Sequence, residues 1–204
     1  MIPAAEALAL LREGNRRFVA GETERSPALD AARRRELARS QAPFAAVLGC
    51  SDSRVPAELV FGQGFGDLFV IRVAGNVVAP SQIGSVEFAA TRFGTPLVVV
   101  LGHTGCGAVT ATVEELRRPA PDQSPGLREI VERVRPAVEP LLAPGRDTRA
   151  LIAQAVRANV RLAVDELRRG SDLLRALAGR GALAIAGAEY DLETGVVDFF
   201  CGDL

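Results

Sequence analysis

Three apolar runs constrain the fold of this chain more than any other feature. Residues 44–49, 68–73 and 97–102 are almost uninterrupted, with no polar residue at every second position. A strand wetted on one face alternates, whereas a strand covered on both faces reads as a continuous apolar run. Residues 182–187 make a fourth such run, and 196–200 reads as an edge addition. Helical periodicity fills the intervals at about 80–93, 106–118, 126–138 and 148–169. Proline- and glycine-bearing stretches at 119–126 and 143–147 read as loops. The expected architecture is α/β: a mostly parallel central sheet of four to five strands flanked by helices. Ahead of it, residues 4–20 carry Leu8, Leu11 and Phe18 at helical spacing, and 30–39 form a second helix dense in arginine and glutamate. Both precede the first core strand and are expected to wrap a neighbour rather than build the core. The division read from this is a helical arm over 1–40 and one α/β domain over 41–204.

Charge and residue inventory remove whole classes of function. Basic and acidic residues nearly cancel, 24 against 25, so nothing attracts nucleic acid or an anionic membrane. No apolar stretch approaches the roughly 18 residues of a membrane span. The charged N-terminal stretch does not read as a secretory signal, so a cytoplasmic location is expected. All basic residues are arginine, which leaves no lysine for a Schiff base or a phosphate loop. His103 is the single histidine, so sites with two or three histidine ligands cannot be built within one chain. Three cysteines argue against a disulfide framework. Cys201, among Phe199 and Phe200, reads as a small buried hydrophobe.

The strand pattern places the remaining chemistry. Cys50 follows the first strand in Cys50-Ser51-Asp52-Ser53-Arg54, and His103 follows the third in Gly102-His103-Thr104-Gly105-Cys106-Gly107. Ligands of open α/β sheets collect at the carboxyl ends of strands, where strand order reverses. Gly105 and Gly107 leave room for backbone to approach a metal or substrate, and a helix opening near Cys106 would turn its N–H groups toward the thiolate. Two thiolates and one imidazole are three soft ligands, the number a catalytic zinc takes from protein.

These two motifs closely resemble those of the β-class carbonic anhydrases. The resemblance extends through Gly-Asp-Leu-Phe-Val-Ile-Arg at 66–72 and Glu-Gly-Asn-Arg-Arg-Phe at 13–18, and covers about 8–200. It implies one zinc ion per chain on Cys50, His103 and Cys106, with Asp52 and Arg54 as a catalytic dyad. The implied reaction is reversible hydration of carbon dioxide to bicarbonate, with zinc lowering the pKa of its water toward ~7. Two thiolates cancel the formal charge of zinc, so an ionised Asp52 is needed to hold the zinc-bound hydroxide, and Arg54 keeps Asp52 ionised. Asp52 is also a possible fourth ligand in a closed state. Gln41, Phe69 and Gly107 are the candidate substrate-binding residues, in a cleft that the resemblance places at a dimer interface. A homodimer or dimer of dimers is implied.

The chain departs from the family pattern in two places. Phe88 stands where plant-type members have a tyrosine, so a hydroxyl is missing. Val47 stands where bicarbonate-regulated bacterial members have a tryptophan, so little inhibition through that pocket is expected although Arg72 matches its arginine. With His103 committed to metal, proton export must use water, carboxylates or buffer. Three alternatives compete with the main reading: hydrolysis of carbon disulfide or carbonyl sulfide on the same fold, a non-catalytic zinc-stabilised bicarbonate-sensing module, and a thiol-redox protein. The last is weak, because Cys50 and Cys106 do not form a Cys-x-x-Cys pair.

Overall fold

The computed structural model describes residues 2–22, 31–119, 122–143 and 145–203. Along them run α1 (Ala4–Val19), α2 (Ala31–Leu37), β1 (Ala45–Gly49), α3 (Ala57–Val60), β2 (Leu68–Arg72), α4 (Pro80–Arg92), β3 (Leu97–His103), α5 (Gly107–Arg117), α6 (Pro125–Val138), α7 (Thr148–Arg169), α8 (Asp172–Gly179), β4 (Ala184–Tyr190) and β5 (Val197–Gly202). Short 3-10 turns occupy Ala74–Asn76 and Glu139–Leu141. The strands form one sheet in the order β2-β1-β3-β4-β5. Every pairing is parallel except that of β4 with β5.

The continuous apolar runs are explained by two-sided cover. Ala45 and Val47 of β1, with Leu97, Val99 and Leu101 of β3, face a cluster built with α1 and Phe61. Ala46 and Leu48, with Val98 and Val100, face a second cluster completed by α4, α7 and α8. Each strand therefore alternates between two dry faces rather than between dry and wet. A third cluster of Val109, Val113, Val134, Val138 and Leu151 packs α5, α6 and α7 together and includes Cys50 and Cys106.

Three expectations change. First, α1 does build the core: Ala7, Leu8 and Leu11 are buried against their own chain. Asn15 extends that stripe and anchors it. Its amide donates to the Val60 and Gly195 carbonyls, and its oxygen accepts from the Val197 N–H. The second helix, by contrast, buries none of its residues, and its expected start at 30 lies outside the described residues. Second, β4 runs to Tyr190, beyond the expected end at 187. Glu189 breaks the apolar pattern, but Arg157 meets it at 3.0 Å and lets the strand continue. Third, the short α3 and α8 were not foreseen. Ser171 caps α8 by accepting from the Leu174 N–H, and Leu174 and Leu177 carry its packing. Of the expected loops, positions 120, 121 and 144 lie outside the described residues. No helix among the described residues is long and apolar enough to cross a membrane.

Candidate metal centre

Strand order reverses between β1 and β3: the chain passes from β1 outward to β2, then returns to place β3 on the other side of β1. Cys50 follows directly on β1, and His103 is the last residue of β3. Both thus stand at the carboxyl edge of the sheet at its switch point, where open α/β sheets gather ligands. Cys106 follows one tight turn later as the N-cap residue of α5, after Gly105 at φ 64°.

The two sulfurs are 4.0 Å apart. With a ring nitrogen of His103 they form a group whose ligand atoms all lie within 4.8 Å of one another, and all three residues are buried. His103 is fully buried, and its Nδ1 lies 3.0 Å from the Thr104 carbonyl oxygen. With Nδ1–H donating there, the lone pair falls on Nε2. Nε2 has no hydrogen-bond partner, one of only two such buried side-chain atoms among the described residues. Leaving a buried polar atom unsatisfied costs about 1–3 kcal/mol. A metal ion would give this nitrogen its partner.

The thiols are tuned against each other. Cys50 is held far toward the thiolate, chiefly by the hydrogen bond from Cys106, with the Gly75 N–H also donating to its sulfur at 3.4 Å. Cys106 is pushed the other way by that same pairing and by burial. The N–H groups of Ala108 and Val109 lie close enough to favour its thiolate, without closing a capping bond. One proton is thus released readily and the second is retained until a cation balances two negative sulfurs.

Asp52 lies beside this group, with Oδ2 3.8 Å from His103 Nε2. Arg54 grips it bidentately, Nε to Oδ1 at 2.9 Å and a terminal nitrogen to Oδ2 at 2.7 Å, and the Arg54 N–H adds a third bond at 3.0 Å. The side-chain bond to Arg54 holds the Asp52 carboxyl well below the usual carboxylate range. Arg72 braces the same loop from β2, donating to the Cys50 carbonyl at 3.0 Å and the Asp52 carbonyl at 2.5 Å.

The other candidate residues do not all converge here. Gly107 opens α5 beside Cys106, and a Cβ there would meet open space. Gln41 precedes β1 and Phe69 pairs with Ala46 near its start, so both lie toward the amino end of the sheet. Cys50 is separated from that end by the length of β1, roughly 16 Å at ~3.3 Å per residue. Within one chain Gln41 and Phe69 are not brought to the metal group. Gln41 instead lines an open cleft with Arg34, Phe65 and Phe93, and Phe69 stacks near Phe88 and Phe93. Val47 is fully buried core. Cys201 packs half-buried against the second cluster, and burial pushes its thiol up.

Sequence reasoning missed the Thr104 carbonyl, the Gly75 N–H and Asn159, whose side-chain amide donates to the Gly75 carbonyl at 2.7 Å. The polar Asn159 falls on the buried stripe of α7 between Ala155 and Ala163, and a polar residue there must find a buried partner. That is the signal that was available.

The carbonic anhydrase family model matches residues 45–197. Carbonic anhydrase 2 of Mycobacterium tuberculosis is 41% identical over 187 residues, covering 91% of this chain and 87% of that protein. The carbonic anhydrase of Mycolicibacterium smegmatis is 40% identical, covering 92% and 89%. Among solved structures, the Coccomyxa β-carbonic anhydrase in complex with acetazolamide superposes with a TM-score of 0.74 at 27% identity, covering 92% of this chain and 83% of that one. A tetrameric β-carbonic anhydrase from Sordaria macrospora shares the fold with a TM-score of 0.74 at 22% identity, covering 94% and 96%. The chain belongs to the β-class carbonic anhydrases.

Proposed function

We propose that this chain hydrates carbon dioxide reversibly to bicarbonate and a proton, using one zinc ion held by Cys50, His103 and Cys106. The observation that carries this reading is the buried His103, with Nε2 unpartnered and a ring nitrogen within 4.8 Å of two cysteine sulfurs, and an arginine-clamped Asp52 beside it. Two thiolates and one imidazole leave a fourth position open, as catalytic zinc sites require. When bound, zinc supplies a Lewis acid that lowers the pKa of water toward ~7 and so provides a nucleophile at neutral pH.

The residues of the chain do the rest. Asp52, kept ionised by Arg54, can only accept a hydrogen bond, so it would hold the O–H of an attacking hydroxide as a donor and leave an oxygen lone pair directed at carbon. Arg72 fixes the carbonyls of Cys50 and Asp52 and thereby the spacing between ligand and acceptor. Gly107 leaves unfilled space where a linear substrate can approach. Gln41 and Phe69 serve a cleft completed by a partner subunit in a homodimer or dimer of dimers. Supporting this is an exposed aromatic surface at the open edge formed by β2: Phe65 is 43% and Phe88 52% exposed. A location in the cytoplasm belongs to the same reading.

Stopped-flow carbon dioxide hydration across pH 6.5–9, with zinc content measured on the same sample, tests it. Hydration proportional to zinc occupancy is expected. One equivalent of zinc without hydration, or hydrolysis of carbonyl sulfide or carbon disulfide in its place, would overturn it.

A further inference from the structure

Gly75 is the central residue of the turn Ala74–Asn76 that follows β2, and it adopts φ +70°, a conformation side chains rarely tolerate. Its two backbone polar groups are both engaged. The N–H donates to Cys50 Sγ at 3.4 Å, and the carbonyl accepts from Asn159 Nδ2 at 2.7 Å. Asn159 is buried on α7, 84 residues away in sequence, and Gly75 is buried too. A Cβ on Gly75 would come within 3.0 Å of the Ala108 methyl group, so the turn is also backed by α5.

We propose that Asn159 is a positioning residue for the metal centre: by holding the Gly75 carbonyl it fixes the peptide whose neighbouring N–H is aimed at the Cys50 sulfur. The inference rests on the reading of this group as a metal site. An N–H aimed at a thiolate withdraws electron density from the sulfur and fixes the direction of its lone pairs. In a centre with two thiolates, the metal is correspondingly less quenched by its ligands. Hydrogen-bonded support behind the ligands typically changes metal affinity by about 10–100-fold. The chain spends a fully buried asparagine on this contact, where the surrounding stripe is Ala155, Val156, Val160 and Ala163. Asn159 has a donor that an apolar residue of similar size would lack.

The direct test is made on the unaltered protein loaded with cadmium-113. A proton–cadmium correlation spectrum should show coupling from the Gly75 amide proton through the Cys50 sulfur to the metal. Asn159→Asp and Asn159→Leu then remove the donor while approximating the volume, and Val164→Ala on the same helix serves as a destabilising control away from the site. In the cobalt-substituted Asn159 variants, the sulfur-to-metal charge-transfer band should move to longer wavelength and zinc affinity should fall by up to ~10-fold, the low end of what loss of a direct partner costs, because Asn159 acts through Gly75. Val164→Ala should lower the melting temperature and leave band and affinity alone. Failure of the unaltered protein to take up cadmium at Cys50, His103 and Cys106 would overturn the metal reading and this inference together. Uptake with no Gly75 correlation, or Asn159 variants that only melt earlier, would overturn this inference alone.

Discussion

Arg54 reaches both oxygens of Asp52, at 2.9 and 2.7 Å, and so decides what this carboxylate can do. Ionised and clamped, Asp52 is an acceptor with no proton to give. Asp52→Asn keeps the size but adds a donor and removes the charge that Arg54 holds. Zinc should remain, because the buried group of Cys50, His103 and Cys106 does not need Asp52. Hydration should fall on the order of 10²–10³-fold, the usual cost of losing one pre-organised hydrogen-bond partner of a reacting oxygen. Stopped-flow rates with metal analysis check this, and near-normal turnover would remove Asp52 from the mechanism. These side chains were legible in the sequence because soft ligands and an aspartate–arginine pair are chemically specific letters. The Gly75 N–H and the Thr104 carbonyl were not, since every residue carries those groups and only the fold selects which ones reach the site.

Among the elements, α1 shows where patterning stops short. Its apolar stripe predicted a helix correctly, yet a stripe does not state which surface it meets. The close approach at Gly14 does: a Cβ there would fall 1.7 Å from the Phe61 carbonyl oxygen. That oxygen is backbone at the end of α3 beside a fully buried ring, so it cannot swing aside. Gly14→Ala should therefore destabilise by about 1–3 kcal/mol, as overpacking does. The gain in helix propensity, at most ~1 kcal/mol, does not offset it. Gly84 in α4 is the matched control, because a Cβ there meets nothing within 4 Å. Gly84→Ala should be neutral or stabilise by up to ~1 kcal/mol. Urea midpoints of the two variants decide the matter, and equal effects would refute the close packing of α1. The end of β4 was hidden for a related reason. Glu189 looks like a terminator until Arg157, from α7, neutralises it together with Asp198.

For the whole molecule, the sequence indicated a parallel sheet but not the strand order, since apolar runs do not say which neighbours they take. The order β2-β1-β3 is what brings Cys50 and His103 to one edge although 52 residues separate them. The complete inventory of the chain then sets how protons leave. Each hydration releases one proton, and a group titrating near neutrality would be needed to relay it. His103, the single histidine, is buried with Nδ1 at the Thr104 carbonyl and is one of the three residues grouped so that they could hold a metal. Asp52 is held far too acidic by Arg54. Tyr190, beside His103 across the β3–β4 pairing, is pushed up by burial and keeps its proton. Phe88 offers no hydroxyl at all. Direct release from a group of pKa ~7 to water is slow, because the hydronium ion formed is a much stronger acid than its donor. Of the carboxylates that burial raises, Glu189 is tied to Arg157 and Glu166 lies on α7 with Arg133 and Arg169 near it. Soluble buffer is therefore expected to carry the proton away. Hydration rate at saturating carbon dioxide should rise several-fold with the concentration of a buffer of pKa near 7 and then level off as another step takes over. A bulky buffer that cannot approach the Asp52–Arg54 edge should do less than a small one of equal pKa. Rates that stay flat from low to high buffer under these conditions would mean that the chain carries its own relay, contrary to this inventory.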